Sequence, residues 1–181
     1  NNTGFAAPMG WNYYAQPKTT ASGGIILNNG TLIGFQQSGQ ANVLGTGTIT
    51  MNGGQLSLRT NFGDNAVVAF GNDVAVNAGL AAATIDVGAY NKVDTILMGS
   101  LNISPNTVLN ITSIGGTANN VAFAGTGALL TGGASGLQVF TTANANLALV
   151  GGGFSDTTRP VNTGYGRVFL GGNNTFTAGT T

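Results

Sequence analysis

The sequence predicts an all-β chain: a right-handed parallel β-helix (solenoid) with an N-terminal aromatic arm or cap. Short runs rich in Val, Ile, Leu and Thr alternate with Gly and Asn clusters, and Gly accounts for 31 of the 181 residues. Helix formers are scarce, because Glu is absent and Lys and Arg together number only 5. Very short strands at nearly even spacing favour a solenoid, in which each coil contributes two or three strands, over a sandwich of longer strands.

Each predicted strand is a short apolar or Thr-rich run with Gly or Asn near its ends. In chain order the predicted strands are Ile25–Leu27, Thr31–Phe35, Thr48–Met51, Gln55–Leu58, Ala66–Phe70, Val74–Val76, Thr84–Val87, Thr95–Met98, Leu101–Ile103, Thr107–Ile111, Val121–Ala124, Leu137–Phe140, Leu147–Val150 and Arg167–Leu170.

An internal echo predicts the length of one coil. Residues Ile26–Leu32 and Thr50–Leu56 share a pattern of apolar residues around an Asn- and Gly-containing corner. Their offset lies within the range that marks structural repeats. Asn-Gly supplies the positive φ that a tight corner needs, and Asn side chains stacked at equivalent corners can bond as an amide ladder. We therefore expect corner turns at Asn28, Asn29, Gly30, Asn52, Gly53 and Gly54.

Residues 1–22 differ from the rest of the chain, and we expect residues 23–181 to form the solenoid. The first segment holds two of the 4 Pro and the only Trp. A solenoid needs cover for its open end, so we expect this segment to act as an arm or cap. Its aromatic residues would pack over the helix end, anchor a neighbouring subunit or bind a glycan; they are Phe5, Trp11, Tyr13 and Tyr14.

Composition excludes several classes of partner. Apolar residues make up 42% and charged residues 6%, with 5 basic and 5 acidic side chains and zero net charge. This balance removes the electrostatic case for nucleic acid or anionic membranes and favours self-association. No window reaches the roughly 18 uninterrupted apolar residues of a membrane-spanning helix, so we expect no membrane insertion by this segment.

Catalytic chemistry finds little support in the sequence. Without His or Cys there is no Ser-His-Asp triad, no Cys nucleophile and no thiolate zinc site. Asp86 and Asp94 could form a carboxylate pair for glycoside hydrolysis, but we expect Asp86 at a strand end and Asp94 paired with Lys92 or capping a turn. The sequence therefore predicts a non-enzymatic protein without a cofactor.

The sequence also contains one weak match to a calcium-binding pattern. Gly152–Asp156 is loosely similar to the Gly- and Asp-rich loops of calcium-binding β-rolls, and it occurs alone. We expect residues Gly151–Pro160 to form a plain surface loop, and we therefore predict no metal site.

One family resemblance rests on residues 166–181. Gly166–Thr181 resembles the autotransporter-associated β-strand repeat, G-x-L-x-L-x-G-x-N-T-Y-T-G-G-T-T, with Phe176 as the aromatic residue and Ala178 in place of one Gly. Leu27–Leu32 and Leu44–Leu56 look like the strands that follow this motif in the family. The positions that carry the motif are Gly172, Asn174, Thr175, Phe176, Thr177, Gly179 and Thr180.

The resemblance implies a secreted passenger with a right-handed parallel β-helix, on the surface of a bacterium and without catalytic residues. We therefore expect a structural, extracellular protein that stacks head-to-tail into a fibre as a homo-oligomer. The alternative is a passenger segment of a large adhesin, continued covalently by more solenoid. In that case loops near Arg159, Pro160 and Tyr165 would contact a host surface or glycan.

Overall fold

A computed structural model describes residues 22–37, 40–62, 65–78, 82–89, 94–104, 107–113, 119–128, 138–141, 145–149, 153–156, 162–163, 167–170 and 175–176. Within these ranges the chain is all-β and contains no helix, which confirms the predicted fold class. The strands are β1 (Ile25–Leu27), β2 (Thr31–Gln37), β3 (Ile49–Met51), β4 (Gln55–Asn61), β5 (Val67–Ala69), β6 (Val74–Val76), β7 (Ala83–Ala89), β8 (Thr95–Met98), β9 (Leu101–Ile103), β10 (Val108–Ser113), β11 (Asn119–Phe123), β12 (Thr126–Ala128), β13 (Gln138–Thr141), β14 (Ala145–Leu149), β15 (Gly153–Asp156), β16 (Asn162–Thr163), β17 (Arg167–Leu170) and β18 (Thr175–Phe176).

The strands stack into parallel sheets that form a β-solenoid. Sheet A has the order β1-β3-β6-β9, sheet B β16-β13-β10-β7-β4-β2, sheet C β17-β14-β11-β8-β5, and sheet D β12-β15-β18. Every pairing among the described strands is parallel. Strand β12 lies beside β9, so sheet D continues the stack of sheet A.

The register gives the length of each coil. Ile26 pairs with Thr50, 24 residues later, and Leu32 pairs with Leu56 at the same offset. The internal echo of the sequence is therefore one turn of the solenoid. Coil length is not constant, because the offset is 30 residues from Val108 to Gln138 but 20 residues from Asp156 to Phe176.

Alternation along each strand builds the core. Side chains of consecutive strand residues point to opposite faces, and in a coil one face lines the interior. In β4, Leu56 and Leu58 are fully buried, while Arg59, which lies between the buried residues Leu58 and Thr60, points outward. The inward positions of successive coils form one continuous cluster that includes Ile49, Met51, Val68, Phe70, Val74, Val76, Ile85, Val87, Ile96, Met98, Leu101, Leu109, Ile111, Val121 and Phe123. Burying each of these large side chains contributes about 1.5–3 kcal/mol.

The predicted strands agree with the structure in position but not always in length. Strands β1, β6, β8, β9 and β17 have the predicted bounds, and β2, β4 and β7 extend further than predicted. The predicted surface loop over Gly151–Pro160 is wrong in part, because Gly153–Asp156 forms β15 and pairs with β12 and β18. Gly, Ser and Asp have low strand propensity, so pairing with neighbouring coils imposes this strand.

Two further predictions concern the chain ends and membranes. The division at residues 22 and 23 and the aromatic arm stay predictions, because residues 1–21 lie outside the described ranges. The described strands run from Ile25 to Phe176. None of the described residues forms a helix with the length and hydropathy of a membrane span.

Candidate functional site

Three edge strands meet at one end of the solenoid. Strand β1 is the outermost strand of sheet A, β2 is outermost in sheet B and β5 is outermost in sheet C. We call these three strands the N-terminal rim. Each is paired with one strand only among the described strands. The unpaired sides of β1 and β2 are directed toward the end of the solenoid. Strand β5 belongs to the second coil, and its unpaired side lies toward residues 40–48 of the first coil, whose Gly45 and Gly47 carbonyls accept hydrogen bonds from Asn72 Nδ2 just after β5.

Hydrogen bonds show which backbone groups of β1 face that end. The Ile25 N–H donates to the Thr48 carbonyl over 2.9 Å, and the Asn52 N–H donates to the Leu27 carbonyl over 2.8 Å. In a parallel pair, alternate residues direct both their N–H and their C=O toward the same neighbour. The backbone groups of Ile25 and Leu27 therefore face β3, and the N–H and C=O of Ile26 point away from the sheet.

The same alternation holds in β2 and β5. The Gln55 N–H donates to the Gly30 carbonyl over 2.8 Å, which places the backbone groups of Ile33 on the open side of β2. The Thr95 N–H donates to the Ala66 carbonyl over 2.8 Å, which places those of Val67 on the open side of β5. Each rim strand thus directs at least one N–H and one C=O away from its own sheet, and those of β1 and β2 face the end of the solenoid.

The same three residues carry exposed apolar side chains. Ile26 is 68% exposed, Ile33 61% and Val67 66%, and they are the exposed large hydrophobic residues of the described chain. The coincidence has a geometric cause, because side-chain direction and backbone direction both alternate with a period of two residues. The rim therefore combines backbone groups directed outward with apolar side chains beside them.

Glutamine side chains form hydrogen bonds with other backbone groups of the rim. Gln36 Nε2 donates to the Ala69 carbonyl over 3.1 Å, which satisfies a group on the open side of β5. The Gln37 N–H donates to Gln40 Oε1 over 3.0 Å, and the Gln40 N–H donates to the Gln37 carbonyl over 3.0 Å. These bonds end the pairing surface of β2 at Gln37.

A corner of the solenoid carries a ladder of polar side chains. Asn28, Asn52, Asn77 and Ser104 follow β1, β3, β6 and β9 at equivalent positions. Asn52 Nδ2 donates to Asn28 Oδ1 over 2.8 Å, and Ser104 Oγ donates to Asn77 Oδ1. These two bonds tie the first coil to the second and the third coil to the fourth without charge.

Glycines complete this corner. Gly30 has a φ of 77° and Gly54 a φ of 74°, so both occupy the left-handed region that residues with a Cβ rarely adopt. Asn28, Asn29 and Gly30 turn the chain between β1 and β2, and Asn52, Gly53 and Gly54 turn it between β3 and β4. A Cβ on Gly54 would lie 2.6 Å from the Gly30 carbonyl oxygen, so close coil stacking also requires a glycine there.

Asp86 lies at the centre of a polar cluster on the outer face of sheet B. Its carboxylate pairs with the Arg59 guanidinium and accepts hydrogen bonds from Thr112 Oγ1 over 2.6 Å and from Ser57 Oγ over 3.4 Å. Arg59 Nη1 also donates to the Asp86 carbonyl over 2.9 Å. The predicted strand-end position is therefore wrong: Asp86 lies in the middle of β7 and is buried beneath Arg59.

Asp94 performs a different role. Its carboxylate accepts a hydrogen bond from Thr60 Oγ1 and one over 3.2 Å from the Ala66 N–H, which directly precedes β5. The Asp94 N–H donates to Asn119 Oδ1 over 3.2 Å. Asp94 thus caps a turn and links three coils, while its predicted partner Lys92 lies outside the described residues. Among the described residues, the side chains that bond to the Asp86 carboxylate (Ser57, Arg59 and Thr112) differ from the groups that bond to the Asp94 carboxylate (Thr60 and Ala66).

Two buried acceptor atoms have no donor among the described groups. They are Gln36 Oε1 and Asn72 Oδ1. Asn72 is fully buried, and its Nδ2 donates to the Gly45 and Gly47 carbonyls over 3.2 and 2.9 Å. These bonds fix the orientation of the amide, so Oδ1 is an acceptor that a buried water could satisfy.

Several predicted site residues lie outside the described chain. These are Phe5, Trp11, Tyr13 and Tyr14 of the arm and Gly172, Asn174, Thr177, Gly179 and Thr180 of the repeat-like motif. Thr175 and Phe176 of that motif form β18. The described residues contain no group of three His, Cys, Asp or Glu side chains that could hold a metal ion.

Comparison with known proteins gives no relative. No family model, no curated protein and no solved structure matches this chain. The resemblance to the autotransporter-associated repeat therefore stays a prediction, and a proposal of function rests on the geometry together with that prediction.

Proposed function

We propose that this chain is a structural β-solenoid of the bacterial cell surface, which stacks head-to-tail into an extracellular fibre. The observation that carries the proposal is the N-terminal rim. Its first-coil strands β1 and β2 direct backbone donors and acceptors away from the solenoid beside the exposed apolar side chains of Ile26 and Ile33. Such an edge is a template for another strand.

The parallel arrangement gives the two ends of the solenoid different surfaces. A contact between unlike ends is heterologous, and a heterologous contact that does not close into a ring produces a filament. The described sheets end in β16, β17 and β18 on the opposite side from the rim. One end can therefore meet the other end of a second copy with all strands running in the same direction.

The surface chemistry supports assembly outside the cell. Zero net charge gives little repulsion between copies. Inter-coil contacts rest mainly on amide, hydroxyl and backbone hydrogen bonds, such as the bond from Asn52 to Asn28. Such bonds change little with pH or salt, which suits a protein exposed to changing surroundings.

Electron microscopy of the purified chain and of a variant lacking residues 1–22 tests this function. We expect filaments from the whole chain. Filaments only in the presence of residues 1–22 would assign a docking role to the arm. Single rods from both samples would contradict the fibre and favour a passenger segment of a larger adhesin, continued covalently at the same rim.

A further inference from the structure

Asparagine precedes glycine at two places in the sequence, Asn29-Gly30 and Asn52-Gly53, and both lie at the corner between sheets A and B. We propose that Asn29 is a site of spontaneous covalent modification in the folded protein. It deamidates through a succinimide, whereas contacts between coils protect Asn52. This chemistry is independent of the fibre, and water is its only co-reactant.

The reaction uses the side-chain amide of Asn29 and the backbone nitrogen of Gly30. The deprotonated nitrogen attacks the side-chain carbonyl carbon Cγ, and a new C–N bond closes a succinimide ring. The bond from Cγ to Nδ2 breaks, and Nδ2 leaves as ammonia with the proton that the backbone nitrogen lost. Water then opens the ring at either carbonyl and gives aspartate or isoaspartate. The net change is one water consumed and one ammonia released, with no change of oxidation state.

The two reacting groups are already in contact at the first corner. The Gly30 N–H donates to Asn29 Oδ1 over 2.8 Å. A carbonyl carbon lies about 1.23 Å from its oxygen, so the Gly30 nitrogen lies within about 4 Å of Cγ. Because Asn29 is exposed, its side chain can rotate from this hydrogen bond to bring Cγ against the nitrogen. Groups held this close react faster than groups that must first meet.

The first corner also has room for the ring. Asn29 and Gly30 are both exposed. In the described part of the chain, apart from the two neighbours of Gly30, no heavy atom lies within 4 Å of the place that a Cβ on Gly30 would take. Water and hydroxide can therefore reach the Gly30 N–H, and the glycine itself adds no side chain that would shield its nitrogen.

The second Asn-Gly pair is held by the neighbouring coil. Asn52 Nδ2 donates to Asn28 Oδ1 over 2.8 Å, and the Asn52 N–H donates to the Leu27 carbonyl over 2.8 Å. Gly53 is buried, and a Cβ on it would lie 2.8 Å from the Asn28 carbonyl oxygen. The amide that must leave is thus bonded, and the nitrogen that must attack is shielded.

The register explains why two identical dipeptides differ. Leu27 pairs with Met51, so Asn52 occupies the ladder position of Asn28, and Gly53 occupies the position of Asn29. Asn29 therefore lies at the tip of its corner, one position beyond the ladder. Protection follows from where each pair falls in the coil rather than from its sequence.

Deamidation would change the corner that joins β1 to β2. Both products add a carboxylate to a chain whose net charge is zero. Isoaspartate also routes the backbone through the former side chain and lengthens the corner by one methylene. The modification accumulates with time in each molecule, so it distinguishes old copies of the chain from new ones.

Peptide mapping by mass spectrometry follows both sites in one sample. The folded parent chain is incubated at mildly alkaline pH, where the backbone nitrogen is deprotonated more often, and each deamidated peptide is measured over time. We expect Asn29 to react at least about tenfold faster than Asn52. In guanidinium chloride, where neither corner exists, the two sites should react at similar rates. Equal rates in the folded chain, or an Asn29 that does not react there, would overturn the proposal.

Two variants at Asn28 test how Asn52 is protected. Asn28→Ala removes the acceptor of the Asn52 amide, and the matched control Asn28→Asp keeps a side-chain oxygen there. We expect Asn28→Ala to speed deamidation of Asn52 about fivefold, and Asn28→Asp to leave its rate near that of the parent. The same Asn52 rate in all three folded chains would contradict protection by the ladder. The comparison within the parent chain stays decisive if a variant does not fold.

Discussion

Asn28 and Asn52 occupy the same corner of successive coils, and the amide of Asn52 donates to the side-chain oxygen of Asn28 over 2.8 Å. Both residues follow strands whose register differs by one coil of 24 residues, as the pair Leu27 and Met51 shows. This bond is direct evidence that the repeated Asn-Gly corners stack. It also shows how a chain with few charges can join its coils.

Replacing Asn52 by Asp should weaken the ladder. The carboxylate cannot donate to Asn28 and would place a negative charge beside its side-chain oxygen. We expect the free energy of unfolding to fall by about 1 kcal/mol, since the bond is exposed. Urea denaturation measures this loss. Asn61→Ala, at an exposed position at the end of β4, is the control and should change stability by less than about 0.5 kcal/mol.

Alanine at Gly54 should cost more than alanine at Gly30. The two residues have nearly the same positive φ, 74° and 77°. A Cβ on Gly54 would lie 2.6 Å from the Gly30 carbonyl oxygen, whereas a Cβ on Gly30 meets nothing within 4 Å. We expect Gly30→Ala to cost about 1–2 kcal/mol from backbone strain, and Gly54→Ala to cost clearly more. Thermal or urea unfolding of both variants checks this, and equal losses would contradict the stacked corner.

Removing the Asp86 carboxylate should destabilise three coils together. Asp86→Ala leaves the Arg59 guanidinium without its ion partner and Thr112 without its acceptor. Breaking a buried pair costs about 3–5 kcal/mol, and we expect about 2–3 here because Arg59 is partly exposed. A double-mutant cycle with Arg59→Leu, followed by urea denaturation, should give a coupling energy above about 1 kcal/mol. Additive effects would show that the Asp86 and Arg59 side chains are not energetically coupled.

Inward and outward isoleucines on sheet B should respond differently to truncation. Ile85 is fully buried in β7, and Ile33 is 61% exposed in β2. Ile85→Ala should lower the free energy of unfolding by about 2–5 kcal/mol because it opens a cavity in the core. Ile33→Ala should change it by less than about 0.5 kcal/mol. Similar losses at both positions would contradict the alternation on which the solenoid depends.

The sequence predicts the solenoid well where corners and strands have clear signals. Ile26–Leu32 and Thr50–Leu56 repeat because each needs a tight Asn-Gly corner and apolar residues that point into the core on either side of it. The two segments are paired in the structure. Strands such as Thr126–Ala128 and Gly153–Asp156 escape prediction, because Gly, Ala and Ser become strands only when neighbouring coils pair with them.

The polar cluster and the rim were harder to predict for a different reason. Asp86 resembles a strand end locally, and Arg59, which buries it, lies 27 residues earlier in the adjacent coil. Opposite charges one coil apart were a usable signal. The rim has no such signal, because the chain itself does not indicate which of many similar strands lies at an edge.

The most direct test of the central claim is cryo electron microscopy of the assembled chain, at a resolution that separates strands along the fibre axis. The account predicts unbranched filaments in which the strand spacing of about 4.8 Å continues across each contact between copies, from one end of one copy to β1 and β2 of the next. Isolated rods at all concentrations, or filaments joined along their sides with the rim exposed, would contradict it.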